Sequence, residues 1–395
     1  MKTNLRWLAA GASVLALALL IGGSALWAQE TKQGNSGQSG GGQGQAQGSQ
    51  GQAAGSATEQ EGGQDEAEDK PYEYKKWLIK NLHNPCGLAV QPETGDVFIA
   101  DSAASRVLRY GTVVNDKNTY EVTEVITGFP SDVYGKGPMY NVGPMGLLFL
   151  DKETLVVGGG GHKDGEELLR FYELPAAGGT KTADQMKFTM GPIGPGDKSE
   201  TGEGNFYALA KAGDAIFVTC NGDDTKGWIS RCTIQGGEPA EYGTFIATKE
   251  ATQVDAPVGI TTDKDGNLIV GQMGEITVPA DSLLTCYNPE TGEMIWNATT
   301  DRFDITAVAF NPKTGTLYCL DFGWMDESQG GLYRLDITDG DDGSKSVTST
   351  KIETLDKPAA MAFGEDGTLF VVEFGTAKEG DLNHPGSLWR FDGLK

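Results

Sequence analysis

The chain has 395 residues, a formal net charge of −24, an apolar content of 38 % and 57 glycines. So acidic a chain is a poor match for nucleic acid or an anionic membrane surface, which call for basic patches, and it favours cations, neutral ligands or basic partners. Five cysteines, Cys86, Cys220, Cys232, Cys286 and Cys319, without a CxxC pair exclude a zinc ribbon and read as small buried residues.

Residues 1–28 read as a secretory signal: Lys2 and Arg6 give a positive start, Leu8 to Ile21 an apolar run, and Gly22 to Ala28 a small-residue stretch. Cleavage is expected after Ala28 or Ala25; the alternative is an uncleaved anchor over Trp7 to Ala28. No cysteine follows the apolar run, which excludes a bacterial lipoprotein. Localisation is therefore expected to be secreted or periplasmic. Residues 29–70, rich in Gly, Gln and Ser and then in acids, have little apolar surface to bury and read as a disordered tether.

From residue 71 onward one phrase recurs. NPCGLAVQPETGDVFIADSAASRVLRY (84–110) holds a Gly-led apolar strand, a polar turn, a second strand ending in Asp101, a short loop and a third strand. Related copies begin at Gly143, Gly204, Ala256, Asp304 and Lys357. A repeat of about 50 residues is propeller-blade spacing. The expected fold is all-β: a six-bladed β-propeller with four antiparallel strands per blade, and with blades at about 84–128, 143–191, 204–249, 256–300, 304–356 and 357–395. A fourth strand follows each of the first five copies, at Tyr120–Thr127, Gln185–Met190, Tyr242–Thr248, Glu293–Thr299 and Val347–Leu355. The sixth copy lacks one because the chain stops at Lys395, and Tyr72–Lys80 is predicted to supply it. That closure removes two open sheet edges.

Antiparallel order puts the loops between second and third strands, and the connections between blades, on one face. The turns on the other face are short. The elaborations, such as 158–166, 221–227, 272–281, 321–331 and 373–386, therefore gather at one rim, where binding residues are expected. Asp101, Asp223, Asp321, Trp324 and Glu373 are the candidate binding residues at this channel mouth. The chain's three histidines, His83, His162 and His384, fall on the same face in contiguous blades. Three imidazoles from separate loops can hold Zn²⁺ with an open fourth position, and Asp101, Asp321 and Glu373 can orient them or bind Ca²⁺. Tyr134, Tyr140, Trp228, Trp324 and Trp389 are aromatics that can stack on a sugar or other ring, or pack between strands.

FIADSAASRVLRY resembles the signature of NHL repeats, in which an Asp ends one strand and an Arg opens the next; Asp101, Ser102, Arg106 and Val107 match, and Ser105 stands where Asn is usual. The Gly-led strands are similar to those of the gluconolactonase type, also six-bladed. That resemblance implies metal ligands just before the Gly, but here those positions are Cys86, Met145, Phe206, Val258, Thr306 and Ala359, of which only Thr306 offers an oxygen. A second resemblance, to propellers of the peptidylamidoglycolate lyase type, implies zinc held by histidines of different blades, compatible with His83, His162 and His384. No GxSxG or HExxH motif occurs. The expected function is a ligand- or protein-binding module that uses its loop-rich face, with an unidentified protein or small molecule as partner and a monomeric state. The alternatives are a metal-dependent hydrolase or lyase at the channel mouth and a structural envelope or matrix protein.

Overall fold

A computed structural model describes residues 70–395 except 114–118, 136–138, 177 and 223–224. The signal segment 1–28, nearly all of the tether and Asp223 lie outside the described residues.

Six sheets of antiparallel strands form the predicted ring. With strands lettered A to D outward from the channel, the A strands are Pro85–Val90, Leu147–Phe149, Leu209–Ala212, Pro257–Thr262, Ile305–Phe310 and Pro358–Phe363 for blades 1 to 6. Each contacts the A strand of the next blade, and blade 6 contacts blade 1. The B strands Val97–Asp101, Ala215–Thr219, Leu268–Gln272, Leu317–Asp321 and Leu369–Glu373 are buried along their whole length. They are covered on both faces by neighbouring blades, which is why their sequences are unbroken apolar runs rather than alternating ones. The core is accordingly divided among the joints between blades. Phe98 and Ala100 of blade 1 pack with Phe149, Leu155 and Val157 of blade 2, and Tyr318 and Leu320 of blade 5 with Leu369 and Val371 of blade 6.

Closure is as the sequence predicts. Tyr74–His83 is the outermost strand of blade 6 and pairs antiparallel with Pro385–Asp392, from Tyr74 opposite Asp392 to His83 opposite Pro385. Trp77 lies against Trp389 with ring centroids 4.5 Å apart, and Tyr72 meets Phe391 edge-on at 5.5 Å.

Two fourth strands differ from expectation. In blade 2 the strand is shorter, Phe188–Met190, and Lys181–Thr182 ahead of it joins the outer edge of blade 1 in parallel, opposite Ile126 and Thr127. In blade 3 the D strand starts early, at Glu238, because Gly236 and Gly237 at φ 61° and 87° make a two-residue turn that only a left-handed backbone allows. It ends at Ala247, and Thr248 begins a one-turn α-helix, Thr248–Thr252.

Candidate functional site at the channel mouth

Residues at or just before the starts of the A strands line one common space. Cys86, Met145, Tyr207, Val258, Thr306 and Ala359 form the floor of a cavity of about 820 Å³ that opens on the loop-rich face. In blade 3 the floor position is Tyr207, one residue beyond the predicted Phe206, which is buried in the joint with blade 2. Tyr207 also crosses the channel: its hydroxyl donates to the carbonyl of Ala359 in the opposite blade at 2.8 Å. The Thr306 hydroxyl donates to the Pro358 carbonyl of the next blade, also at 2.8 Å. The floor is thus tied from blade to blade, and it offers no carboxylate or imidazole.

The wall is aromatic, and a second repeated phrase builds it. B strands of blades 4, 5 and 6 end in Gln272-Met273-Gly274, Asp321-Phe322-Gly323 and Glu373-Phe374-Gly375. The polar residue is buried and fastens the incoming connection. Gln272 Nε2 donates to the Val254 carbonyl at 2.6 Å. Asp321 accepts the backbone N–H groups of Phe303, Asp304 and Gly323 at 2.9, 3.2 and 3.0 Å. Glu373 accepts the Asp356 N–H at 3.0 Å, together with the Ser387 hydroxyl and the Trp389 indole, both at 2.6 Å. Buried backbone N–H groups need such acceptors. The middle residue lines the cavity in all three blades, and its N–H donates in turn to Ala256, Asp304 and Lys357. The glycine then reverses the chain at φ 82°, 67° and 81°.

Phe322, Trp324, Phe374 and Tyr140 form one continuous wall. Phe322 and Trp324 lie 4.3 Å apart between centroids, Tyr140 and Phe374 5.1 Å, and Tyr140 and Trp324 5.5 Å. Trp324 is fixed by its backbone N–H, which donates to Asp304 at 2.7 Å, while its indole N–H is buried without a partner. Burial pushes the Asp304 carboxyl up to about 7; Asp321 and Asp281 push in the same direction and the Trp324 N–H opposes them. Among the described residues, Asp164, Glu200, Asp255 and Glu275 stand around the rim with one ammonium, Lys249, which pairs with Asp255 at 2.5 Å.

Of the predicted binding residues, Trp324 lines the cavity. Asp101, Asp321 and Glu373 do not; each is a buried latch. Asp101 accepts the His83 N–H at 2.5 Å and both Arg106 Nε and Nη2 at 2.8 Å, so the Asp–Arg signature is a cross-strand tie. The three histidines are not brought together. His83 stands beside Asp101, with Nδ1 3.7 Å from the carboxylate. His162 lines a smaller cavity of about 360 Å³ that shares Tyr134, Asp164 and Asn205 with the large one, and its N–H donates to buried Glu167 at 2.8 Å. His384 lies behind the wall, against Tyr140 and Phe374, with Nδ1 2.6 Å from the Gly375 carbonyl. Among the described residues no group of three His, Cys, Asp or Glu side chains is placed to hold a metal ion. The three imidazoles thus stand in separate surroundings, the His83 side chain half exposed and the His384 ring packed on Tyr140 and Phe374. Of the other aromatics, Tyr134 and Tyr140 line the cavity, whereas Trp228 packs in the joint between blades 2 and 3, and Trp389 packs among the residues joining blades 5 and 6. Phe322, Phe374 and Met273 went unread in the sequence; the repeated acid-or-amide, large apolar, glycine phrase was the signal for them.

The cavity contains one thiol, Cys86, which burial pushes up to about 12, away from the thiolate a nucleophile requires. What the arrangement offers chemically is an apolar floor, stacked rings and an acidic rim.

No protein-family model matches the chain, and no curated protein matches it. Among solved structures it is similar to a glucose dehydrogenase, at 16 % identity over 82 % of this chain and 100 % of that one, with a TM-score of 0.52. It is also similar to the soluble aldose sugar dehydrogenase of Escherichia coli in its apo form, at 14 % identity over 81 % and 99 %, TM-score 0.50. A gluconolactonase from Xanthomonas campestris aligns at 14 % identity over 82 % and 88 %, TM-score 0.49. What the chain shares with the two dehydrogenases is the propeller fold.

Proposed function

We propose that the protein is an exported binding module that takes a small organic molecule with an apolar or aromatic body into the channel mouth. The observation that carries this reading is the cavity itself: about 820 Å³, floored by Cys86, Met145, Val258 and Ala359 and walled by Phe322, Trp324 and Phe374. Small-molecule sites are concave, mainly apolar and furnished with a few polar groups, and a volume of this order suits a molecule of drug size. A wide protein partner would meet the rim rather than the floor. The raised Cys86 thiol and the latched Asp321 and Glu373 favour binding over nucleophilic or metal-assisted chemistry. Export rests on the amino-terminal segment, 1–28.

The test is a fluorescence titration with N-phenyl-1-naphthylamine, a neutral probe that brightens in apolar surroundings. One saturable site is expected, lost in Met273→Trp, which fills the mouth from a half-buried position, with the melting temperature retained. No saturable binding, or equal binding by Met273→Trp, would overturn the proposal.

A further inference from the structure

Resting on that reading, the geometry points to an organic cation as the ligand: a substituted or quaternary ammonium whose alkyl groups sit against the wall of Tyr140, Phe322, Trp324 and Phe374. Two independent features carry this. The first is the wall. Four aromatic residues in mutual contact, with centroid separations of 4.3 to 5.8 Å, all line the cavity. Ring faces carry negative potential and attract a desolvated cation, tryptophan most strongly. Cys86, Met145, Val258 and Ala359 of the floor add area for methyl or methylene groups.

The second feature is charge. Among the described residues, Asp164, Glu200, Asp255 and Glu275 line the cavity together with one lysine, Lys249, which pairs with Asp255. Carboxylates lining a low-dielectric cleft focus a negative potential into it and raise the local concentration of cations. An anionic ligand of the same shape would meet that field as repulsion. A metal ion is not the occupant implied, because no three ligating side chains converge among the described residues. Aromatic walls suit a diffuse cation too weakly hydrated to need oxygen ligands.

The experiment compares choline with 3,3-dimethylbutan-1-ol by isothermal titration calorimetry on the purified chain. The two share shape and hydroxyl and differ in a quaternary nitrogen against a quaternary carbon. Choline is expected to bind about tenfold more tightly, which corresponds to a cation–π advantage of about 1.4 kcal/mol. Trp324→Ala is expected to erase the advantage, and Glu275→Gln to reduce it with the fold intact. Equal or tighter binding of the alcohol would overturn the cation inference and leave the small-molecule reading standing. Failure of both ligands to displace bound N-phenyl-1-naphthylamine would also overturn it, whereas failure of the naphthylamine itself to bind would overturn the reading beneath it.

Discussion

Tyr207 of blade 3 donates its hydroxyl across the channel to the backbone carbonyl of Ala359 in blade 6, at 2.8 Å. One side chain thus bridges opposite sides of the ring below the cavity and gives the mouth a floor. Tyr207→Phe should cost about 1 kcal/mol, the net worth of a hydrogen bond, and leave probe binding nearly unchanged. Tyr207→Ala should cost about 3–5 kcal/mol in urea denaturation, because a large ring is removed from a packed position, and should weaken probe binding by opening the floor.

The Asp304 carboxyl, raised to about 7 by burial and by the neighbouring Asp321 and Asp281, holds the Trp324 backbone N–H. The native state therefore keeps a proton that the unfolded chain releases at the ordinary aspartate range near pH 4. Stability from this group is complete below that range and is lost as pH rises toward 7. The melting temperature of Asp304→Asn, which keeps an acceptor for Trp324, should fall less between pH 4 and 7 than that of the parent chain.

Asp321 accepts three backbone N–H groups from within the fold. Asp321→Ala strands all three and should destabilise by about 3 kcal/mol or more, since an unsatisfied buried donor costs about 1–3 kcal/mol. Asp321→Asn retains one acceptor oxygen and should cost less. Matched chemical denaturation of the two variants checks the order, and the reverse order would remove the latch role.

Gly375 sits at φ 81°, and a β-carbon there would lie 2.5 Å from the Pro385 carbonyl oxygen. Gly375→Ala should cost about 2 kcal/mol or more through backbone strain and close approach. It should also weaken probe binding, because Phe374 is held by the same turn.

The ring was legible because a propeller repeats its most buried strands: runs such as Val97–Asp101 and Leu369–Glu373 keep their apolar character in every blade. The closing strand was legible because the last copy lacked an outer strand and Tyr74–His83 had no other place in the repeat. The parallel pairing of Lys181–Thr182 with blade 1 was not legible, being a tertiary choice that no local pattern states. At the site, the acids drew attention by type. Successive side chains on a strand point to opposite faces, so the residue that latches the connection cannot also face the channel. Asp321 and Glu373 turn inward to backbone amides, while Phe322 and Phe374, which read as ordinary core, reach the cavity. The histidines share a face but stand beside different partners, Asp101 for His83 and Gly375 for His384, which the repeat pattern does not record.

The central claim is that the channel mouth is a ligand site, and a crystal structure of the chain soaked with N-phenyl-1-naphthylamine tests it most directly. The account predicts density for the probe inside the cavity, above Val258 and Ala359 and in contact with Phe322, Trp324 and Phe374. Density confined to the outer strands, or a cavity filled by the protein's own side chains with the probe excluded, would contradict it.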